Sequence, residues 1–239
     1  MWTCLTAPNS LLAMVRKDDV PWPSPRQVLR LLPISGGIFA GPFKKDTPTF
    51  AQITADALQA GYEQLQSYEK EWLREIDIRM CIFEQEEFDA YLEAFAKNDR
   101  VQVEGYSVLG QQQLNDGTVI DVPGKEPDPE YVTIVDPAGK GYIKTTPNGA
   151  SGASGSIYAH LGITEWPKDV KGRITTCEAV AHAYPMPGEA KQRVVHVIGP
   201  IFSGPKADEA AKADAIKQLT KAYRNVFAAY VKLQLNLYK

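Results

Sequence analysis

Cysteine is scarce in this sequence. The three present, Cys4, Cys81 and Cys177, are odd in number and far apart. They define neither a disulfide framework nor a metal-ligand spacing, and a reducing compartment is the expectation. His196 sits on an apolar stretch with no second His, Cys or carboxylate at ligand spacing, so it reads as a core histidine and no metal is expected. An excess of basic charge is missing too. The net charge of −3 leaves no electrostatic footprint for nucleic acid, although a single loop can still hold a nucleotide's phosphates. No apolar run is long enough to cross a bilayer, so no membrane partner is expected. The opening MWTCLTAPNSLLAMVRKDD lacks the basic start and unbroken apolar centre of a signal peptide. A cytoplasmic protein is the expectation, with export lacking a cleaved signal left open.

What is there suits one large α/β domain. The 239 residues hold 44% hydrophobic and 23% charged side chains, enough for a sizeable core and ordinary for a globular chain. Residues 1–27 read as an N-terminal extension, because Pro21, Pro23 and Pro25 impose an extended approach. Residues 28–239 read as the domain. Its organising stretch is residues 29–43, LRLLPISGGIFAGPF. A short apolar run ends in glycines and a helical pattern follows from about Thr47. Strand, glycine loop and helix is the layout that presents backbone N–H groups and a helix N-terminus to a phosphate. It fits equally a tight turn without ligand.

Further along, Phe50, Ile53, Ala57, Gly61, Leu65, Tyr68 and Trp72 recur at helical spacing and predict one long amphipathic helix. Residues 76–83 form an apolar strand. Glu84, Gln85, Glu86 and Glu87 then open a second helix as a solvated acidic turn that complements the helix dipole. Strands are expected over 101–108, 118–122 and 131–135, with Asn115-Asp116-Gly117 as a hairpin turn. From Lys140 the chain turns rich in Gly, Ser and Thr, and a second glycine loop feeds a helix near residues 156–161. Strands over 173–183 and 193–199 and a last helix over 207–231 complete the order. Strands alternating with helices define an α/β domain with helices on both sides of a mixed sheet. Any ligand belongs at the carboxyl ends of the strands that carry the loops.

Residues 193–230 closely resemble a macro domain, in RVVHVIGPIFSG followed by KQLTKAYRNVFAAY. ISGGIFAGP resembles that family's second phosphate loop, GASGSIYAHLG its first, and MCIFEQEEFDAYLEAF its closing strand and helix. The order is rotated, with the second loop first and the HxxGP strand last. A three-layer α/β/α macro-domain-like fold in circularly permuted order is therefore expected. The resemblance implies ADP-ribose, or an ADP-ribosylated protein, as partner. Gly152, Ala153, Ser154, Gly155, Ser156 and Ile157 would hold the pyrophosphate from one side. Ser35, Gly36, Gly37, Ile38 and Phe39 would hold it from the other, with Phe39 against the distal ribose. The adenine-reading aspartate falls on Asp121.

Two departures touch the chemistry. The family's NAAN segment becomes Asp136-Pro137-Ala138-Gly139, and the aspartate of many hydrolase members becomes Ser154. A hydroxyl is a poor general base at neutral pH, so hydrolysis would need another carboxylate, and Asp136, at a strand end facing the proposed distal ribose, is the catalytic candidate. Gln85-Glu86-Glu87 is similar to the QEE of the glycohydrolase branch but lacks its glycine run and lies on the wrong element. The implied function is ADP-ribose recognition with or without hydrolysis of the modified protein; a structural domain without ligand is the remaining alternative. No cofactor is implied, and no oligomeric state is set.

Overall fold

The computed structural model describes residues 26–204 and 207–237. The extension assigned to residues 1–27 thus falls, apart from Arg26 and Gln27, outside the described residues. Those two are tied to the domain. Arg26 donates to the carbonyls of Arg74 and Glu75 at 2.7 and 2.9 Å, and the Gln27 carbonyl accepts the Asp77 N–H at 2.9 Å.

A mixed sheet of six strands forms the centre. In chain order they are β1 (Val28–Leu31), β2 (Asp77–Cys81), β3 (Val101–Glu104), β6 (Val132–Asp136), β7 (Ala179–Pro185) and β8 (Lys191–Val197). Their spatial order is β3-β2-β1-β6-β8-β7, all parallel except β7, which runs antiparallel along β8. The short strands β4 (Gln111–Gln113) and β5 (Val119–Asp121) pair as a separate antiparallel hairpin. Its turn closes through the Gly117 N–H on the Leu114 carbonyl, with Gly117 at φ +84°, a value that suits glycine.

Side chains alternate along a strand, and the central strands are apolar on both faces. Leu29, Leu31, Ile78, Met80, Val195 and Val197 face one cluster, together with α1 (Thr47–Glu63), α2 (Ser67–Arg74), α3 (Gln85–Phe95) and α6 (Glu209–Leu237). Val132, Ile134 and Val194 face the other, with α4 (Lys140–Lys144), α5 (Gly152–Leu161) and Trp166. This two-sided burial is what a parallel sheet requires.

The single long helix expected from Phe50 to Trp72 is two. The chain breaks at residues 64–66, and the Glu69 carboxylate reaches back to the Gln66 N–H at 2.8 Å to start α2. Leu65 and Trp72 stay buried across the break, so the apolar period survives while the axis changes. The strand expected over 173–183 is shorter and later, Ala179–Pro185, after a turn in which the Thr175 N–H bonds Glu178.

Helix α1 crosses α6 at Gly61, where an added Cβ would lie 2.9 Å from the Arg224 nitrogen and the Thr220 oxygen. Backbone cannot yield as a flexible side chain can. Gly61→Val is expected to destabilise the protein by about 3 kcal/mol in urea denaturation. A change below about 0.5 kcal/mol would mean that the helices do not approach this closely.

The chain leaves β1 toward β2 over the face that holds α1 and α2. It leaves β6 toward β8 over the face that holds α4 and α5. β1 and β6 are adjacent and parallel. Their carboxyl ends therefore flank a topological switch point, the place where open α/β sheets form a crevice.

Candidate functional site

Both glycine loops start at that edge. The loop after β1 is seated on the loop after β8. The Ser35 hydroxyl donates to the Pro200 carbonyl at 2.5 Å, and a Cβ on Gly199 would lie 2.5 Å from the Ser35 oxygen. Ser35 itself takes φ +64°, a left-handed conformation that costs a non-glycine residue about 1 kcal/mol. Gly36 bonds back to the Pro33 carbonyl, and Gly37 and Ile38 open a 3-10 turn over Gly37–Phe43. Phe39 is half-buried, and its carbonyl accepts the Phe202 N–H.

The second loop delivers the N-terminus of α5. Its N-cap, Ser151, makes no side-chain cap, and its first turn holds no acidic residue. The first N–H groups of a helix have no partner within it, so they face outward with the positive end of the helix dipole. Gly152, Ala153 and Ser156 are exposed there. Gly152 takes φ +60°, and a Cβ on it would meet nothing within 4 Å. Gly155 differs: a Cβ there would stand 2.5 Å from the Ala150 carbonyl oxygen. It is needed for the loop to fold onto the helix, and a substitution would shift that loop. Ile157 is fully buried, and its side chain belongs to the core.

Beneath this N-terminus lies a buried polar network. Asp136 ends β6 and pairs in register with His196 on β8. Both are 0% exposed. Oδ1 of Asp136 accepts from the Ser154 hydroxyl at 2.7 Å. Oδ2 accepts from the Tyr158 hydroxyl at 2.7 Å and pairs with His196 Nδ1 at 2.7 Å. On the far side of the imidazole, Nε2 pairs with the Tyr184 hydroxyl at 2.8 Å. Burial, and then the Asp136 charge, push the Tyr158 and Tyr184 phenols well above their ordinary range. Both therefore stay protonated and can donate. Trp166 packs edge-on to the His196 and Tyr158 rings and donates its own N–H to the Tyr142 carbonyl at 2.7 Å. Asp136, the catalytic candidate, thus has both oxygens engaged and does not meet solvent directly.

Asp121 lies on the hairpin strand β5, apart from the main sheet, and is exposed. It nonetheless shares a cleft of about 430 Å³ with Ser156 of α5. Leu109, Gln111, Glu126, Pro127, Ala159 and His160 complete the walls. The Gln111 amide donates to Asp121 Oδ1 at 3.1 Å, and burial lowers the pKa of His160. The hairpin base is pinned from the sheet. The buried Arg30 guanidinium donates to the Val108 and Lys125 carbonyls at 3.0 and 2.8 Å and stacks on Tyr106. The structure therefore brings Asp136 to Ser154 and Asp121 to Ser156, while Ser35 is committed to Pro200.

The sequence reading missed His196 and Tyr158 as partners of Asp136, and Tyr184 as the partner of His196. Tyr158 had a legible signal, four residues after Ser154 on one helix face. His196 and Tyr184 had none, because their proximity depends on the order of strands. Among the described residues no group of three or more His, Cys, Asp or Glu side chains could hold a metal ion, and no helix is long and apolar enough to cross a membrane. Comparison with protein families, curated proteins and solved structures finds no match for this chain.

Proposed function

We propose that the protein recognises ADP-ribose, free or attached to a protein, through a three-layer macro-domain-like arrangement in circularly permuted order. The observation that carries the reading is the uncapped, acid-free N-terminus of α5, fed by a glycine loop beside the switch point of β1 and β6. A diphosphate supplies what those N–H groups lack. The strand order supports the permutation, since β8, β6 and β1, which carry HVIGP, DPAG and SGGIF, lie side by side with their loops at one edge. Joining the last helix to the first strand requires them to be neighbours, and the Tyr223 hydroxyl of α6 accepts the Ile34 N–H just after β1 at 3.2 Å.

In this reading Gly152, Ala153 and Ser156 meet the pyrophosphate from the α5 side. Gly36, Gly37 and Ile38 meet it from the β1 side, and Phe39 rests against the distal ribose. Asp121 reads the adenine from the cleft it shares with Ser156. Removal of ADP-ribose from a modified side chain is the second reading, with Asp136, behind Ser154, as its candidate carboxylate. Calorimetric titration with ADP-ribose tests recognition, and incubation with a mono-ADP-ribosylated protein tests release. Saturable binding at one site per chain is expected, and its absence would sink the proposal.

A further inference from the structure

The two edges of the main sheet end differently. β3 closes one edge with four residues, two of them the polar Gln102 and Glu104. A short edge strand that carries charge discourages pairing with another chain. β7 closes the other edge with seven residues, AVAHAYP, and carries no Asp, Glu, Lys or Arg. Its one proline, Pro185, stands at the very end. Residues 179–183 thus form an edge with neither charge nor proline to guard it.

The register of β7 on β8 fixes which backbone groups that edge presents. Opposed residues in an antiparallel pair alternate between hydrogen-bonded and non-bonded. The Ile198 N–H bonds the Glu178 carbonyl at 3.2 Å, and the Met186 N–H bonds the Ala190 carbonyl at 2.9 Å. Val180 lies opposite His196 and His182 opposite Val194, so the even-numbered residues of β7 bond inward to β8. The N–H and C=O groups of Ala179, Ala181 and Ala183 therefore point outward. These alanines are half-buried, and among the described residues no hydrogen bond reaches their outward groups.

We propose that β7 pairs with β7 of a second copy of this chain, antiparallel across a two-fold axis at Ala181, joining the two sheets into one. The strand is self-complementary about that residue. Ala181 meets Ala181 of the second copy, and Ala179 and Ala183 meet each other's counterparts. Every outward N–H and C=O of the three alanines then finds a partner, and every bonded pair is alanine on alanine. Val180 and His182 oppose each other at the non-bonded positions between them. His182 Nδ1 is held by Asp169 at 2.7 Å, so its charge, when protonated, is compensated within its own copy. Charge is what favours an identical strand as the occupant, since β7 meets its own copy without repulsion. The flanking Glu178 carboxylates stand six residues apart along the joined strands, about 20 Å at about 3.4 Å per residue, beyond a Debye length of about 8 Å. Such an interface is isologous and closes on itself as a dimer. It does not depend on the ADP-ribose reading.

Analytical ultracentrifugation of the full chain across the micromolar range, with amide hydrogen exchange at the highest concentration, tests the proposal. The mass is expected to rise toward twice that of one chain, and the amides of Ala179, Ala181 and Ala183 to gain protection as it does. Ala181→Pro removes an outward donor at the centre of the interface and leaves the inward ladder to β8 in place. It is expected to weaken the dimer by about 100-fold or more, because both central bonds are lost. Ala183→Lys sets a charge on the same edge and is expected to weaken it by about 10-fold or more; it carries the test if the proline variant does not fold. A single-chain mass at every concentration overturns the proposal and leaves the edge to a strand of another protein. A dimer whose three alanine amides exchange as they do in the monomer overturns it as well, as does one that both folded variants leave intact, since the contact then lies on another face.

Discussion

Gly152→Asp is expected to weaken ADP-ribose binding by about 100-fold or more while leaving the fold intact. The position separates two effects that most substitutions in a phosphate loop confuse. A Cβ on Gly152 would meet nothing within 4 Å, so no packing is lost. Its φ of +60° costs an ordinary residue about 1 kcal/mol, and Asp tolerates this region better than most. A carboxylate in the first turn also interacts favourably with the helix dipole, by about 0.3–1 kcal/mol. Strain and dipole nearly cancel for the folded protein. A diphosphate arriving at the same N–H groups instead meets a like charge. At about 5 Å and an effective dielectric near 20 the repulsion is roughly 3 kcal/mol, which corresponds to more than 100-fold in affinity. Calorimetry measures the affinity, and thermal denaturation checks the fold. Wild-type affinity with an unchanged melting temperature would remove the α5 N-terminus from the site. Gly155 cannot serve for this test, because any side chain there strikes the Ala150 carbonyl and shifts the loop itself.

The elements legible in the sequence were those whose signal is local. The apolar runs of β1, β6 and β8, the turn at Asn115-Asp116-Gly117 and the start of α1 at Thr47 appear where periodicity and turn chemistry place them. α1 begins there because the Asp46 carboxylate caps the Thr49 N–H at 3.2 Å, a three-residue signal. The break between α1 and α2 escaped because Leu65 and Trp72 keep the helical period across it. Asp121 was read as the end of a strand, which it is, but that strand belongs to a separate hairpin; local alternation cannot reveal which strand pairs with which. Asp136 was singled out for its place at a strand end. Its full burial follows from β8 lying beside β6 and from Ser154 and Tyr158 of α5 closing over the carboxylate, contacts between residues up to 60 positions apart. Burial takes such a carboxylate out of direct contact with a ligand and engages both its oxygens within the fold.

Asp136→Ala is expected to be among the most destabilising single substitutions in this chain, by about 3–5 kcal/mol in chemical denaturation. Three groups converge on the carboxylate, from Ser154, Tyr158 and His196. Removing the carboxylate leaves the Tyr158 hydroxyl and His196 Nδ1 without this acceptor in a site closed to water, and an unmade buried hydrogen bond costs about 1–3 kcal/mol. The cavity left by the lost atoms adds to this. Asp136→Asn keeps the shape and one acceptor oxygen, so its cost is expected to be smaller, about 1–3 kcal/mol. The ordering of the two variants discriminates between roles. If Asp136 only served catalysis, both would retain near wild-type stability and lose turnover alike. A network that holds β6, β8 and α5 together predicts a graded loss of stability, Ala well beyond Asn, and it ties the geometry of the α5 N-terminus to the same carboxylate. Equal stability of the two variants, within about 0.5 kcal/mol, would show that the hydrogen bonds to Asp136 contribute little to the fold and that the candidate site is positioned by packing alone.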